Sequence, residues 1–481
     1  MFAARNIQYD IAERTRAVAT GGIGAIHQVA ARSGLIEAID EDVHVLKRHL
    51  PYHESDHVLN IAYNLICGGS RLEHIEHRRN DEVYLDAIGA QRIPDPTTAG
   101  DFCRRFDTEE KIVDLMEAIN RARLSVWRQQ DDDFFDEAVI DVDGSIAETT
   151  GQCKQGMDIA YNGQWGYHPL IVSLANTGEP LYLVNRSGNR PSHDDAARWL
   201  DRAGELCRRA GHRKIRFRGD TDFSQTAHLD RWDDAGYAFV FGMDAMENLV
   251  GIADELENKA FTPLHREPRY DVATEPRGRR ENVKEQIVRR REYKNIRLES
   301  EHLAEFEYRP TKCKRSYRMV VVRKNLSVEK GELRLFDEIR YFFYITNDRK
   351  KSAREIVRDA NNRCNQENLI AQLAGGVGAM AMPVDNLLSN WAYMVAGSLA
   401  WTLKAWAALL VPVSPRWEGR HREEKRRLLR MEFATFVDSV IRMPAAIVRT
   451  GRRIIYRLLS YSPWQSVLLR LSESLHRPLR C

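Results

Sequence analysis

The sequence predicts an α/β core that is interrupted by a β-rich segment and flanked by two helical regions. Residues 56–67 and 108–127 carry apolar residues at helical spacing, which places helices before the core. From Asp136 onward, short apolar runs alternate with turn residues, as expected for strands. Residues 391–413 form a long apolar run rich in Ala and Trp, which indicates a second helical region after the core.

The order of the core elements narrows the fold class. A strand over residues 138–143 is followed by two more, LIVSLA and PLYLVN, with turn residues between them. An amphipathic helix over residues 194–210, a strand over 214–220, a second helix and a strand over 237–242 come next. This is the order of an RNase H-like fold, in which the first and fourth strands lie side by side.

We therefore divide the chain into five segments. They are a helical N-terminal region (1–130) with possible DNA binding, a first part of the RNase H-like core (134–245), a β-rich basic insertion (246–338), a second part of the core (339–380) and a helical basic C-terminal region (381–481).

Composition indicates a soluble globular protein. The chain has 481 residues, of which 43% are hydrophobic and 29% charged, enough for two or three domains. The seven cysteines are scattered and no CxxC occurs, so the sequence favours a reducing cytosol over a zinc ribbon or a disulfide framework. We expect no signal peptide, because the N-terminus lacks an apolar stretch, and we expect residues 391–413, interrupted by Lys404, to be a buried helix rather than a membrane span.

Positive charge is concentrated at the C-terminal end. The net charge is +3, but residues 411–481 hold fifteen Arg and Lys against six Asp and Glu, a local net of 15 − 6 = +9. This imbalance indicates a polyanionic partner. The competing interpretation is an amphipathic helical region with a solvated basic face.

The first candidate site residues are two carboxylates on the first core strand. Asp141 and Asp143 lie on one side of it, because strand side chains alternate with period 2. Burying both is costly unless a cation compensates them, and Mg²⁺ prefers carboxylate oxygens. Gly144 and Ser145 follow and allow a close backbone approach. For this stretch taken alone, a solvated strand end whose Asp residues cap a turn is the favoured interpretation, and the later motifs change that.

Two further carboxylates are expected to join them. Asp220 ends the fourth strand of the predicted order, beside the first strand. Glu367 lies on a helix capped by Ser352, which follows a strand returning to the sheet, and Arg363 is four residues before it on the same face. On spacing alone Arg363 and Glu367 form an ordinary surface ion pair, whereas the preceding strand places Glu367 opposite the first two acids.

The insertion contains a basic run accompanied by aromatic residues, PRGRRENVKEQIVRRREYKN. Such a composition suits phosphate contacts and base stacking. The candidate phosphate-binding residues are Arg279, Arg280, Arg289, Arg290 and Arg291. An ordinary solvated basic surface is the alternative.

Taken in order, the motifs DVDGS, GYHPL, NRSGNRPS, RGDTDF and RCNQEN resemble the catalytic core of DDE transposases of bacterial insertion sequences. The similarity is to the group called insertion sequence thirteen-eighty, within the insertion sequence four-like superfamily. Each motif is short, and the specificity lies in their ordered combination.

The resemblance implies roles for individual residues. Asp143, with Asp141 as the alternative, matches the first acid, Asp220 the second and Glu367 the third, and together they hold two Mg²⁺ ions, with Mn²⁺ as a possible substitute. Arg363 matches the family's Arg on the same helix and is a candidate DNA-binding residue. Ala360 and Ala374 stand where the superfamily has Tyr and Lys, which puts the grip of that helix on terminal phosphates in doubt.

The resemblance also implies partners and a location. It implies double-stranded DNA as terminal inverted repeats and target, a homodimer in the synaptic complex, no membrane association, and a nucleoid-associated place in the bacterial cytoplasm. Relatives resolve the flanking DNA through a hairpin. Two other functions stay open: an RNase H-fold nuclease without strand transfer, and an inactive DNA-binding relative. Arg186, Arg190 and Arg218 lie near the site strands in sequence, either as phosphate contacts or as structural ion-pair partners.

Overall fold

The computed structural model describes residues 9, 15–48, 51–266, 282–451, 453–477 and 479. A short strand and a series of helices come first: β1 (Ala17–Val18), α1 (Ile23–Arg32), α2 (Leu35–Asp42), α3 (Glu54–Ile66), α4 (Ile75–Arg79), α5 (Glu82–Ile88), α6 (Pro96–Arg104) and α7 (Glu109–Trp127). The expected helices over residues 56–67 and 108–127 are thus confirmed as α3 and α7.

The core elements follow, and those that were predicted occur in the predicted order. They are β2 (Glu137–Gly144), β3 (Ala147–Glu148), β4 (Asp158–Ile159), β5 (Trp165–Tyr167), β6 (Leu170–Leu174), β7 (Glu179–Val184), α8 (Ala196–Ala210), β8 (Lys214–Gly219), α9 (Leu229–Asp234), β9 (Ala238–Met243) and α10 (Glu247–Glu255). The short strands of a separate sheet, β3-β5-β4, lie in the chain between the first two predicted strands, β2 and β6. β2 pairs antiparallel with β6, and β6 with β7. β8 lies parallel between β2 and β9, so the first and fourth strands of the predicted order are neighbours.

The insertion is a long antiparallel ribbon. Its elements are β10 (Thr262–Pro263), α11 (Val283–Arg290), β11 (Lys294–Tyr308), β12 (Tyr317–Lys330) and β13 (Leu333–Thr346). β13 joins the core by pairing with β9, which completes a mixed sheet in the order β10-β11-β12-β13-β9-β8-β2-β6-β7. Phe343 lies opposite Met243, the last residue of β9. The residues of β13 before Phe343 therefore extend past the edge of the sheet at which β2, β8 and β9 end.

The last part of the chain closes the core. It comprises α12 (Ala353–Asn362), α13 (Cys364–Ala371), α14 (Leu387–Leu410), α15 (Glu418–Arg430), α16 (Phe433–Phe436), β14 (Ala445–Thr450), β15 (Arg453–Leu458) and α17 (Gln465–Ser474). α14 is buried along nearly its whole length, as expected for residues 391–413. β14 pairs with β1, which joins the two ends of the described chain in one small sheet.

A buried carboxylate ties α14 to the sheet and to α7. Glu179, at the start of β7, is fully buried and accepts hydrogen bonds from Arg123, Trp127 and Trp406 at 3.1, 3.0 and 2.8 Å. A buried charge is tolerated only when its lone pairs are satisfied in this way. The three donors therefore fix the position of the sheet relative to α7, which precedes it in the sequence, and α14, which follows it.

No single helix in the described ranges is long and apolar enough to cross a membrane. By length and composition alone, residues 387–410 and 415–430 pass that test together, as a pair bent by 101°.

Several expected element boundaries differ from the structure. β13 is continuous across the predicted division at residue 338, and the strands of the insertion are much longer than the pieces the sequence indicated. The single helix that was predicted from Ser352 through Glu367 is interrupted at Arg363, where α12 ends and α13 begins. The C-terminal region, predicted helical, also contains the β14–β15 hairpin, because β-branched residues such as Ile447 and Ile454 favour strands.

Candidate active site

Three carboxylates from separate elements surround one guanidinium group at the carboxyl end of the parallel strands. Arg363, between α12 and α13, has Nη1 2.7 Å from Asp143 Oδ2. Its Nη2 lies 3.6 Å from Asp220 Oδ2 and 4.0 Å from Glu367 Oε1. The structure therefore brings together Asp143, Asp220 and Glu367, as the sequence analysis expected, and puts Arg363 between them.

Each acid reaches this point for a local reason. Asp143 lies near the end of β2, where the backbone N–H of Gly144 donates to its Oδ1 at 2.8 Å. Asp220 follows β8 and caps a short 3₁₀ turn by accepting from the backbone N–H of Asp222 at 3.0 Å. Glu367 lies in the first turn of α13, and its side chain is 64% exposed.

Asp141 has a different partner. Its carboxylate is 1% exposed and accepts two parallel hydrogen bonds from Arg218, at 2.7 and 2.8 Å. Arg218 also donates to the backbone carbonyl of Asp359 in α12 at 2.9 Å. A planar guanidinium suits such a paired contact, so Asp141 and Arg218 join β2, β8 and α12 beneath the three acids.

Burial disfavours the charged form of the carboxyl groups at this site. It raises the pKa of Asp143 to about 6, although Arg363 acts in the opposite direction, and the neighbouring Asp220 raises it further. Burial likewise raises the pKa of Asp220. One guanidinium therefore does not compensate the negative charge of the cluster, which is the situation that a bound cation relieves.

Two residues of the quoted motifs hold the site in place, and sequence reasoning missed both. Gln366 is 2% exposed, and its Nε2 donates to the backbone carbonyl of Ile171 at 3.1 Å, while Ser173 donates to its Oε1. A β-carbon added at Gly144 would lie 2.8 Å from Nε2 of His168, so the close approach expected at this glycine is made by a side chain. The only sequence signal was that both residues stand inside the quoted motifs GYHPL and RCNQEN.

The three arginines left open by the sequence have distinct surroundings. Arg218 is the buried partner of Asp141. Arg186 is 7% exposed and donates to the backbone carbonyls of His168, Ser192 and Asp194, which makes it structural. Arg190 is exposed on its loop and lies 3.3 Å from Asp194.

The predicted phosphate-binding residues lie only partly in the described chain. Arg279 and Arg280 fall outside the described residues. Arg289 and Arg290 end α11, Arg291 follows it, and all three are exposed. With Lys330 at the tip of the β12–β13 hairpin, Arg289 and Arg290 line a cavity of about 580 Å³. Glu292 and Glu332 line the same cavity, and Glu285 pairs with Arg289 at 3.1 Å.

The raised pKa of Asp143 predicts a stability effect that is independent of catalysis. A carboxyl with a higher pKa in the folded state binds more protons there, so folding is favoured as the pH falls from about 6 towards 4. In a chelator-containing buffer at pH 7, Asp143→Asn should raise the free energy of unfolding by up to about 3 kcal/mol, since one pKa unit is worth about 1.4 kcal/mol. That gain should vanish near pH 4, as measured by urea unfolding.

Asp222→Asn is the matched control, because Asp222 is exposed in the loop that follows Asp220. It should leave stability unchanged at both pH values. If Asp143→Asn instead destabilises the protein at pH 7, the ion pair with Arg363 outweighs the cost of burying the carboxylate.

No curated protein matches the sequence. The solved structure of piggyBac transposase in a synaptic complex with hairpin DNA is similar at 8% identity and a TM-score of 0.39, over 88% of this chain and 81% of that one. Such a score does not establish a shared fold.

A family model gives the decisive comparison. The model described as Transposase DDE domain group 1 matches residues 5–479, which is nearly the entire sequence. That range includes every strand and helix that contributes an acid to the cluster around Arg363. The chain belongs to the DDE transposases of domain group 1 and is a DNA transposase, an enzyme that cleaves DNA and transfers the cut strand.

Proposed function

We propose that Asp143, Asp220 and Glu367 are the catalytic acids and that they act at the ends of a bacterial insertion sequence of the thirteen-eighty group. The observation that carries the proposal is their convergence on one guanidinium from β2, β8 and α13. The strand order around them supports an RNase H-like core. The group assignment rests on the ordered motifs from DVDGS to RCNQEN.

The donor set fits divalent metal ions, which DDE transposases generally use. Oxygen ligands are those that Mg²⁺ prefers. Burial is the main cause that raises the pKa values of Asp143 and Asp220, so their charged forms are favoured when a cation lies beside them. In the described chain, no three Asp, Glu, His or Cys side chains are arranged as a metal-binding group. Arg363 lies between the three acids that supply the expected ligands.

Asp143, Asp220 and Glu367 are the residues that would hold the metal, and we propose Mg²⁺ as two ions, with Mn²⁺ as a substitute. When bound, such ions activate the attacking oxygen and stabilise the leaving oxygen of a phosphoryl transfer. Asp141 is not included, because both its oxygens accept from Arg218. Glu367, as the most exposed of the three, is best placed to adjust when DNA and metal arrive.

The reaction has two stages on this proposal. Water first attacks a phosphorus atom at the end of the element and releases a 3′-hydroxyl group, which then attacks a phosphorus atom of the target DNA. Asp143 near the end of β2 and Asp220 directly after β8 both lie just beyond the paired part of these parallel strands, which ends at Asp141 opposite Arg218. The paired strands therefore bring both acids to the same edge of the sheet.

We also propose a hairpin intermediate between the two stages. The 3′-hydroxyl group attacks the opposite strand at the same end, which releases the flanking DNA, and a second water reopens the hairpin and restores the 3′-hydroxyl group. A homodimer that holds two ends together in the nucleoid of a bacterial cytoplasm is also part of the proposal.

The direct test is cleavage of the DNA that flanks the gene of this protein. Purified protein with Mg²⁺ should cut at the boundary between element and flank and should join the freed end to a target duplex. A strand-transfer product separates a transposase from a nuclease with the same acids. Cutting without joining, on substrates that carry both ends, would contradict the proposed second stage.

The ribbon supplies a route for the DNA towards these acids. It extends past the sheet edge where Asp143 and Asp220 lie, and it carries Arg289, Arg290 and Arg291 near its tip. We propose that these three arginines contact DNA phosphates and that the Arg-rich C-terminal region adds further phosphate contacts.

Replacing the three tip arginines should change the salt dependence of DNA binding. Each phosphate contact contributes about 0.9 to the slope of log affinity against log salt. Alanine at Arg289, Arg290 and Arg291 together should therefore flatten the slope by about 2–3 units if all three contact phosphate. Binding isotherms at several salt concentrations measure this, with circular dichroism as the check on folding. An unchanged slope would show that the run is a solvated helix end.

A further inference from the structure

One edge of β13 has no strand partner over Phe336–Phe342 within the described chain. On one side, β12 pairs regularly with this segment, from Val328 opposite Phe336 to Val322 opposite Phe342. On the other side, β9 begins to pair only at Phe343. Phe336, Ile339 and Phe342 are 53, 55 and 41% exposed. An exposed strand edge with large apolar side chains is a template for pairing with another strand.

The sequence of this edge, FDEIRYF, is complementary to itself in an antiparallel arrangement. When Ile339 of two copies lies on a two-fold axis, Phe336 faces Phe342 of the other copy and Glu338 faces Arg340. Each of these pairs occurs twice, because the interface of a two-fold dimer repeats every contact. Directly opposed side chains lie about 4.5–5.5 Å apart, close enough for aromatic and opposite-charge pairs to stabilise the junction.

This register places Glu338 opposite Arg340, whereas the two neighbouring registers oppose like charges. Moving the axis by one residue places either Glu338 opposite Glu338 or Arg340 opposite Arg340, and opposed like charges are destabilising. The present register also avoids the irregularity of the ribbon, since the break in β12–β13 pairing lies before Phe336. The charges on Glu338 and Arg340, which pair at 2.5 Å within one chain, are thus positioned for exchange between two chains.

We propose that the edge Phe336–Phe342 is a docking surface for a second copy of this chain, which joins two ribbons into one continuous sheet without DNA. DNA is a poor occupant of this edge, because the segment holds two acids and one base, a net of 1 − 2 = −1. The inference goes beyond the homodimer of the proposed function, because it assigns a surface that pairs without DNA. It does not depend on the catalytic acids, since pairing is measured on the protein alone.

Charge reversal tests the register. Full-length protein should sediment as a dimer at micromolar concentration. Glu338→Arg alone and Arg340→Glu alone should each weaken dimerisation by about tenfold or more, because both opposed pairs become like-charged. The double variant E338R/R340E restores both pairs, and with them the dimer. A monomeric wild-type protein, or a dimer unaffected by either single reversal, would overturn the proposal.

A cysteine at the axis gives an independent measurement. Ile339→Cys places identical residues opposite each other, within the reach of a disulfide. Mild oxidation should therefore give a covalent dimer. Leu298→Cys is the control, because Leu298 is 52% exposed on β11 and away from this edge. Equal cross-linking at both positions would mean random collision and would refute the two-fold edge. Cleavage assays on the same variants report separately on the catalytic proposal.

Discussion

Asp220→Asn should abolish metal-dependent cleavage of the element's ends while leaving their binding nearly intact. Asn keeps the shape of the side chain and an oxygen that can accept from the backbone N–H of Asp222, so the turn after β8 is preserved. It loses the negative charge that a divalent ion requires. Loss of several kcal/mol of transition-state stabilisation corresponds to a rate reduction of about 10³-fold or more.

The measurement pairs a cleavage time course with an electrophoretic binding assay on the same labelled DNA. Asp222→Asn is the matched control, because it removes an exposed carboxylate from the same loop and lies outside the group around Arg363. It should cleave at close to the wild-type rate. Loss of binding in Asp220→Asn would show that Asp220 is structural, and retained cleavage would remove it from the catalytic acids.

The strands and helices of the core could be predicted from the sequence because each is marked by residues within its own short segment. Short apolar runs between turn residues indicate strands, and their order placed β2 beside β8. The same local logic was unable to choose between Asp141 and Asp143, since a period of two puts both on one face. The structural distinction comes from Arg218, whose two hydrogen bonds to Asp141 join residues 77 positions apart. No pattern within β2 contains that information.

The lengths of the ribbon strands were underestimated for a related reason. Strands that project beyond the core are exposed on much of their surface, so charged residues such as Arg334 and Arg340 interrupt the apolar alternation that marks a buried strand. A run of basic residues is therefore compatible with a solvated loop as well as with an exposed strand, and the sequence pattern does not distinguish the two. The break between α12 and α13 is similar, because neither Gly nor Pro stands near Arg363 to indicate it. The convergence of this residue with three acids depends on long-range packing.

Arg363 and a divalent cation should compete for the same carboxylates. The guanidinium contacts Asp143 directly and lies within 4.0 Å of the other two acids. Two unit charges about 4 Å apart interact by up to about 4 kcal/mol at a partly screened site, so a cation that enters the cluster meets repulsion from Arg363 as well as attraction from the acids. We expect substrate phosphate to offer the guanidinium an alternative partner, which would relieve this repulsion when DNA binds.

Arg363→Gln should therefore bind Mn²⁺ or Mg²⁺ about tenfold more tightly than the wild type in the absence of DNA. We expect cleavage to fall, because glutamine cannot make the charged contact with substrate phosphate that we expect of Arg363. Calorimetric titration of the metal measures the first effect without reference to activity. Arg358→Gln, an exposed position on α12, is the control and should change neither quantity. Weaker metal binding in Arg363→Gln would show that the guanidinium organises the three acids for the ion, and would contradict competition between them.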